Sequence, residues 1–321
     1  MTTATAAAAA AAAARFDAIV GNVEQAVHGS TGTVRLALVC LLAEGHLLIE
    51  DIPGVGKTTL AKALAASLRC EWRRIQFTPD LLPSDVTGVT VYNRDRGTFE
   101  YRPGAIFANV VLGDEINRAS PKTQAALLEA MEEGQVTTDA TTYPLPRPFM
   151  VIATQNPVER QGTYPLPDGQ LDRFLMRVSM GYPGRDAEMA MLHTHGAGNG
   201  AADLKPVADA DDVMEMVAHT RAVHVAESIR GYILDIADTT RAAPALALGL
   251  SPRAALALLR AARAYAAAAG RAHVVPDDVK WVAPYVLAHR LVLAPDARVA
   301  GITATSVLHE VLARVRVPVG Q

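Results

Sequence analysis

The sequence predicts an α/β fold built on a parallel sheet and followed by a helical domain. Three observations predict it. Short apolar runs, Leu47-Leu48-Ile49, Val110-Val111-Leu112 and Phe149-Met150-Val151-Ile152-Ala153-Thr154, recur between stretches of helical composition, the pattern of a parallel sheet covered on both faces. A glycine-rich turn, Asp51-Ile52-Pro53-Gly54-Val55-Gly56-Lys57-Thr58-Thr59, joins the first run to a helix with an apolar face at Leu60, Leu64 and Leu68. Beyond Tyr182-Pro183-Gly184 the composition turns to alanine- and leucine-rich helical segments.

Taken in order, a helical pattern runs from Arg15 to Ala43, interrupted at Gly29-Ser30-Thr31-Gly32. The glycine-rich unit follows, and Trp72-Arg73-Arg74-Ile75-Gln76-Phe77 reads as a second strand. Val89 to Tyr92 and Thr98 to Tyr101 flank a loop containing Gly97, which predicts a β-hairpin. Ser120 and Pro121 open a helix as N-cap and first residue, and Gly134 closes it. A second hairpin is expected from Gln135-Val136-Thr137 through Asp139-Ala140 to Thr142-Tyr143. After a small-residue loop over 196–202, Leu256, Leu259, Ala262 and Ala266 keep helical spacing and predict a packed face. The expected organisation is a leader over 1–14, the α/β domain over 15–184 and the helical domain over 185–321.

Composition sets the limits. A chain of 321 residues can form two domains, each with its own core. With 50% hydrophobic and 20% charged residues it is globular. A net charge of −3 argues against broad attraction to nucleic acid. Two cysteines, Cys40 in an apolar run and Cys70, exclude a disulfide framework or a zinc cluster and fit a reducing compartment. The alanine run from Ala6 to Ala14 has no basic residue before it, so it does not read as a signal peptide. It is also too short to span a bilayer, and a frayed helical extension or disorder is expected there. No segment reads as transmembrane, and the expected location is cytoplasmic.

The glycine-rich turn carries the chemistry. Backbone N–H groups of such a loop, backed by a helix N-terminus, close around phosphate oxygens. Lys57 supplies a charge to the β/γ-phosphates and the Thr58 hydroxyl a ligand to Mg²⁺. Pro53, Gly54, Val55, Gly56 and Thr59 complete the loop, while Asp51 stands where the strict motif has its first glycine. Asp114 and Glu115 end the run Val110-Val111-Leu112-Gly113. Asp114 is placed to hold the metal shell and Glu115 to polarise the attacking water. Asn156, after the next apolar run, reaches the same sheet edge, where open α/β folds bind ligands. Arg253 falls in the first turn of a helix capped by Ser251, where a cation opposes the macrodipole and so suggests an anion clamp. Arg173 follows the loop Tyr164-Pro165-Leu166-Pro167.

These residues resemble the MoxR-type AAA+ ATPases, over about Phe16 to Arg316. The resemblance is carried by Leu48-Ile49-Glu50-Asp51-Ile52-Pro53-Gly54-Val55-Gly56-Lys57-Thr58, Asp114-Glu115-Ile116-Asn117-Arg118-Ala119, Ala153-Thr154-Gln155-Asn156-Pro157-Val158-Glu159, Gly162-Thr163-Tyr164-Pro165-Leu166-Pro167 and Leu171-Asp172-Arg173-Phe174. It implies an AAA+ core, an αβα sandwich, with a small α-helical lid. It implies ATP and Mg²⁺, Asn156 as sensor 1, Arg173 as an arginine finger offered to a neighbour, and Arg253 as sensor 2. Arg118 is a second candidate for the contact in trans, and Ile19, Val20 and Gly21 are expected to line an adenine pocket. The resemblance further implies a homo-hexameric ring with both hairpins directed at a pore or partner, and chaperone-like remodelling with von Willebrand A domain partners. Three other readings are a small-molecule kinase, a nucleic-acid motor using Arg94, Arg96 and Arg102, and a nucleotide scaffold that does not hydrolyse. The carboxylate pair, Asn156 and the arginines argue against the first and last. Asp95 and Glu100, interleaved with the basic residues, argue against the second.

Overall fold

The computed structural model describes residues 3–139, 141–157, 162–195, 201 and 203–318. Ala140 in the expected second turn, Val158 and Glu159 of the resemblance, and most of the loop expected over 196–202 lie outside the described residues. Helix α1 (Thr3–Glu24) takes in the alanine run as one continuous helix, as the high helix propensity of alanine favours. Ala9 is buried, and a Cβ added at Gly270 would come within 3.3 Å of the Ala13 Cβ. Small side chains therefore let the leader pack closely on the C-terminal helices.

Next come α2 (Thr31–Leu42), β1 (Leu47–Glu50), α3 (Lys57–Ser67), β2 (Trp72–Gln76), α4 (Pro83–Thr87) and the hairpin of β3 (Gly88–Asn93) and β4 (Thr98–Pro103). Strand β5 (Val110–Asp114), α5 (Pro121–Glu133), the hairpin of β6 (Gln135–Thr138) and β7 (Thr141–Pro144), β8 (Met150–Gln155), α6 (Asp168–Leu171) and β9 (Met176–Val178) complete the α/β part. The sheet order is β2-β5-β8-β1-β9, and every pairing in it is parallel. Strand β9 escapes the sequence reading because three residues carry no period. Side chains alternate between the two faces. Leu47, Ile49, Val110, Leu112, Met150 and Ile152 pack with α1, α2 and α3, whereas Leu48, Val111, Val151 and Ala153 pack with Phe77, Val86 and Leu127.

The helical part comprises α7 (Arg185–His195), α8 (Ala210–Ala222), α9 (Glu227–Arg241), β10 (Leu246–Leu248), α10 (Pro252–Ala268), α11 (Pro276–Leu287), β11 (Val292–Leu293), α12 (Pro295–Val299) and α13 (Ala304–Arg314). Its apolar interior is continuous with the layer under α1 and α2, because α10 touches α1 and α2 as well as α8, α9 and α11, and α11 touches β9. The face of α10 expected from spacing is corrected at one position. Leu256 is 62% exposed, and the buried residues include Ala254, Ala257, Leu258, Ala261, Ala262 and Ala266, since close helix approach on several sides selects alanine. Cys40 is fully buried, as its apolar run requires.

Both hairpins form, and they touch. Tyr101 of β4 stacks on Tyr143 of β7 with ring centroids 4.1 Å apart. Arg96 pairs with Glu100 at 3.2 Å. Among the described residues, no helix is long and apolar enough to cross a membrane.

Candidate functional site

The loop between β1 and α3 has the backbone that its glycines allow. Gly54 and Gly56 hold φ of +86° and +96°, a region that side chains with a Cβ rarely adopt. Gly56 caps α3, so the helix N-terminus and the loop N–H groups share one opening. Pro53, Gly54, Gly56, Lys57, Thr58 and Thr59 border a cleft of about 410 Å³. Across from them stand Arg74, Asp114, Glu115, Thr154 and Asn156, from the ends of β2, β5 and β8. The residues expected to converge at one sheet edge do so.

Lys57 Nζ donates to the Asp51 carbonyl at 2.5 Å. Burial lowers its pKa, opposed by the charges of Asp51, Asp114 and Glu115. Asp51 itself is not a defect in the motif. Its carboxylate accepts from Ile52 N–H at 2.8 Å, Ser179 Oγ at 2.9 Å, and Met180 and Gly181 N–H at 2.7 Å each. Burial raises its pKa, but the bonds from Gly181, Ser179, Ile52 and Met180 together hold it below the usual value.

Sequence reasoning missed the residues that hold the carboxylates. Thr154 Oγ donates to Asp114 Oδ1 at 2.6 Å and accepts from the Glu115 N–H at 2.9 Å. Arg74 Nη2 holds Asp114 Oδ2 at 2.6 Å. Gln76 Nε2 and Arg118 Nη1 both reach Glu115 Oε2, at 3.1 and 2.8 Å. Arg118, a candidate for the trans contact, therefore lies against a carboxylate of its own chain. Glu115 adopts φ +57° and ψ +49°, a left-handed conformation that costs a non-glycine residue about 1–2 kcal/mol. A polar threonine near the end of an otherwise apolar strand was the available signal for Thr154.

The arginines lie elsewhere. Arg173 and Arg253 border a separate cleft of about 210 Å³, together with Glu132, Asp172 and Arg290. Arg173 Nε lies 3.1 Å from Glu132 Oε2, and Arg253 Nη2 bonds the other oxygen of the same carboxylate. Arg253, expected as sensor 2, borders this second cleft and not the one beside Lys57, because α10 is packed on α1, α2 and α11 and carries its first turn to the Glu132 side. Its N-cap is as expected, Ser251 accepting from Ala254 N–H. Val20 and Gly21, expected to line an adenine pocket, are not among the residues that border the cleft beside Lys57. Helix α1 buries Val20 in the core and turns Gly21 outward, whereas Met180 is the side chain that comes near Gly56.

Residues 46–176 match the model of the ATPase family associated with various cellular activities (AAA), and residues 238–311 match the AAA lid domain. The chain is 39% identical to Chaperone MoxR1 of Mycobacterium tuberculosis, over 92% of its own length and 80% of that protein. The chain belongs to the MoxR family of AAA ATPases. It is also 49% identical to the YeaC protein of Bacillus subtilis over 94% of each chain, and 32% identical to Protein MoxR of Paracoccus denitrificans over 88% of this chain and 90% of that one. A crystal structure from Cytophaga hutchinsonii, described as a candidate ATPase, superposes with a TM-score of 0.91 at 36% identity, covering 97% of each chain. The family fold, a parallel sheet with helices and a helical lid, is the one described above.

Proposed function

We propose that the chain is an ATP-hydrolysing member of its family, working as a homo-hexameric ring that remodels or matures protein complexes. The observation that carries this reading is the division of the charged groups. Lys57, Thr58, Asp114, Glu115 and Asn156 border one cleft, while Arg173 and Arg253 border another. A site that hydrolyses a γ-phosphate needs both halves, and a neighbouring protomer can supply the second.

The residues fit ATP and Mg²⁺. Gly54 has nothing within 4 Å of the position a Cβ would take, so the loop leaves room for phosphate oxygens to approach its backbone. Thr58 and Asp114 offer the hard oxygen ligands that Mg²⁺ takes. With Oδ1 bonded by Thr154 and Oδ2 by Arg74, Asp114 suits a carboxylate that holds metal-bound water. Mg²⁺ held by these residues would neutralise charge on the β- and γ-phosphates. Glu115, aimed by Gln76 and Arg118, takes the proton of the attacking water, and Asn156 positions that water or the γ-phosphate without competing for the metal. Arg173 and Arg253 stabilise the developing charge from the next protomer. A von Willebrand A domain protein is the partner class that goes with this reading.

The test is phosphate release measured against protein concentration. Turnover per protomer should rise with assembly. Arg173→Ala should keep ATP affinity and lose about 10³-fold or more in turnover. Wild-type turnover by that variant at saturating protein overturns the reading.

A further inference from the structure

We propose that Glu132 is a positioning residue that holds Arg173 and Arg253 together as one clamp for the neighbouring protomer's nucleotide. The inference rests on the function proposed above and adds to it the group that assembles the clamp. Arg173 sits in the segment between α6 and β9, and Arg253 in the first turn of α10. No backbone element fixes one guanidinium against the other. Like charges repel, and the α10 macrodipole disfavours a cation at its N-terminus. A single carboxylate between the two offsets both effects, and Glu132 provides it with one oxygen to each arginine.

Asp172 does not substitute for it. Its Oδ1 is bound at 2.6 Å by the buried Arg290, and its Oδ2 lies 3.7 Å from Arg253. Glu132 also has a rigid mount. Helix α5 is fixed at its start, where the Gln124 amide donates to the carbonyls of Ile116, Ala119 and Tyr164 at 3.2, 3.1 and 3.0 Å. It is fixed at its end by His46 Nε2, 3.0 Å from the Met131 carbonyl. The carboxylate uses Nε of Arg173 and one Nη of Arg253, while each guanidinium presents further N–H donors in a planar fork suited to phosphate. Both arginines border an open cleft. A clamp whose members are already convergent loses less freedom when the anion arrives.

The experiment uses the full chain at saturating protein and ATP, with Glu132→Ala, Glu132→Gln, Arg173→Ala, Arg253→Ala and the Glu132→Ala/Arg253→Ala double variant. Glu132→Ala and Glu132→Gln should each lower kcat about tenfold. KM for ATP, the thermal midpoint and the assembled mass should stay at wild-type values. The double variant should be no slower than Arg253→Ala alone. Wild-type or raised kcat in Glu132→Ala overturns the proposal, the raised value marking Glu132 as a mask on the arginines. A fall in kcat that follows a lower thermal midpoint or lost assembly also overturns it, as a structural effect. If Arg173→Ala turns over normally, the proposed function falls and this inference with it. If Arg173→Ala collapses while Glu132→Ala is normal, the Glu132 assignment alone falls.

Discussion

The Asp51 carboxylate accepts hydrogen bonds from the backbone N–H groups of Met180 and Gly181, each at 2.7 Å, and so ties the start of the phosphate loop to the turn after β9. Ser179 Oγ adds a third bond across the same gap. Only Glu and Asp can accept so many donors with a full charge, and aspartate is short enough to do so while 8% exposed. Asp51→Ala leaves these buried donors unpaired. We expect a stability loss of about 1–3 kcal/mol and weaker nucleotide binding, read by urea unfolding and by titration with a fluorescent ATP analogue. The pH dependence follows from the depressed pKa. The stabilisation is fully present above the unfolded value of about 3.9 and is lost as pH falls through the lower folded value. Asp51→Asn should therefore narrow the stability gap from wild type only in acid.

Arg290 fastens the helical part to the sheet. Its side chain is 4% exposed and bonds the Asp172 carboxylate at 2.6 Å, with further bonds to the carbonyls of Asp172, Phe174 and Leu175 at 3.0, 2.8 and 3.1 Å. Removing one member of a buried pair costs about 3–5 kcal/mol, because the other charge is left uncompensated. Asp172 is 22% exposed and keeps Arg253 at 3.7 Å, so Arg290→Ala should lose less than that, about 1–3 kcal/mol, in denaturant unfolding. Arg290→Ala/Asp172→Ala should recover part of it.

His46 gives the fold an acid-sensitive element. Its Nδ1 accepts from Val151 N–H at 3.0 Å, which leaves the proton on Nε2 for the Met131 carbonyl. Burial lowers its pKa to about 4, opposed by the Met131 bond. Between the unfolded value of about 6.5 and the folded value, the unfolded chain binds a proton that the folded chain refuses. Stability should fall across that window by roughly 3 kcal/mol from this group. Buried His289 shifts in the same direction, mainly through burial and Arg290. The slope of unfolding free energy between pH 7 and 5 should shrink in His46→Gln and persist in part through His289.

The residues proposed to touch phosphate and water were legible because the chemistry they would perform fixes their spacing. Lys57, Thr58, Asp114, Glu115 and Asn156 each follow an apolar strand, and strands in register bring their ends together. The residues that orient them were not legible. Gln76 and Arg74 reach β5 only through strand pairing, and Asp51 reaches Gly181 only because β9 pairs with β1, a strand too short to recognise. The place of Arg253 depended on how the helical part packs. An alanine-rich helix has no single marked face, so its spacing suggested Leu256 as a core residue when packing on several sides had selected alanine.

Thr154 offers the sharpest test of how the carboxylate turn is held. Its one hydroxyl satisfies Asp114 and supports the left-handed Glu115 through the backbone N–H. Thr154→Ser keeps the hydroxyl and should keep most of the activity. Thr154→Val keeps the shape, strands the Glu115 N–H and frees Asp114 Oδ1. An unpaired buried donor costs about 1–3 kcal/mol, so the strained turn should relax and Glu115 should lose its aim. ATP hydrolysis should fall about 10- to 100-fold in Thr154→Val, while ATP affinity, set by Lys57 and the loop N–H groups, changes little. Glu115→Gln calibrates the comparison, since it should retain bound ATP without turnover. Equal turnover in Thr154→Ser and Thr154→Val would show that the hydroxyl does not hold the turn, and the aim of Glu115 would then rest on Gln76 and Arg118.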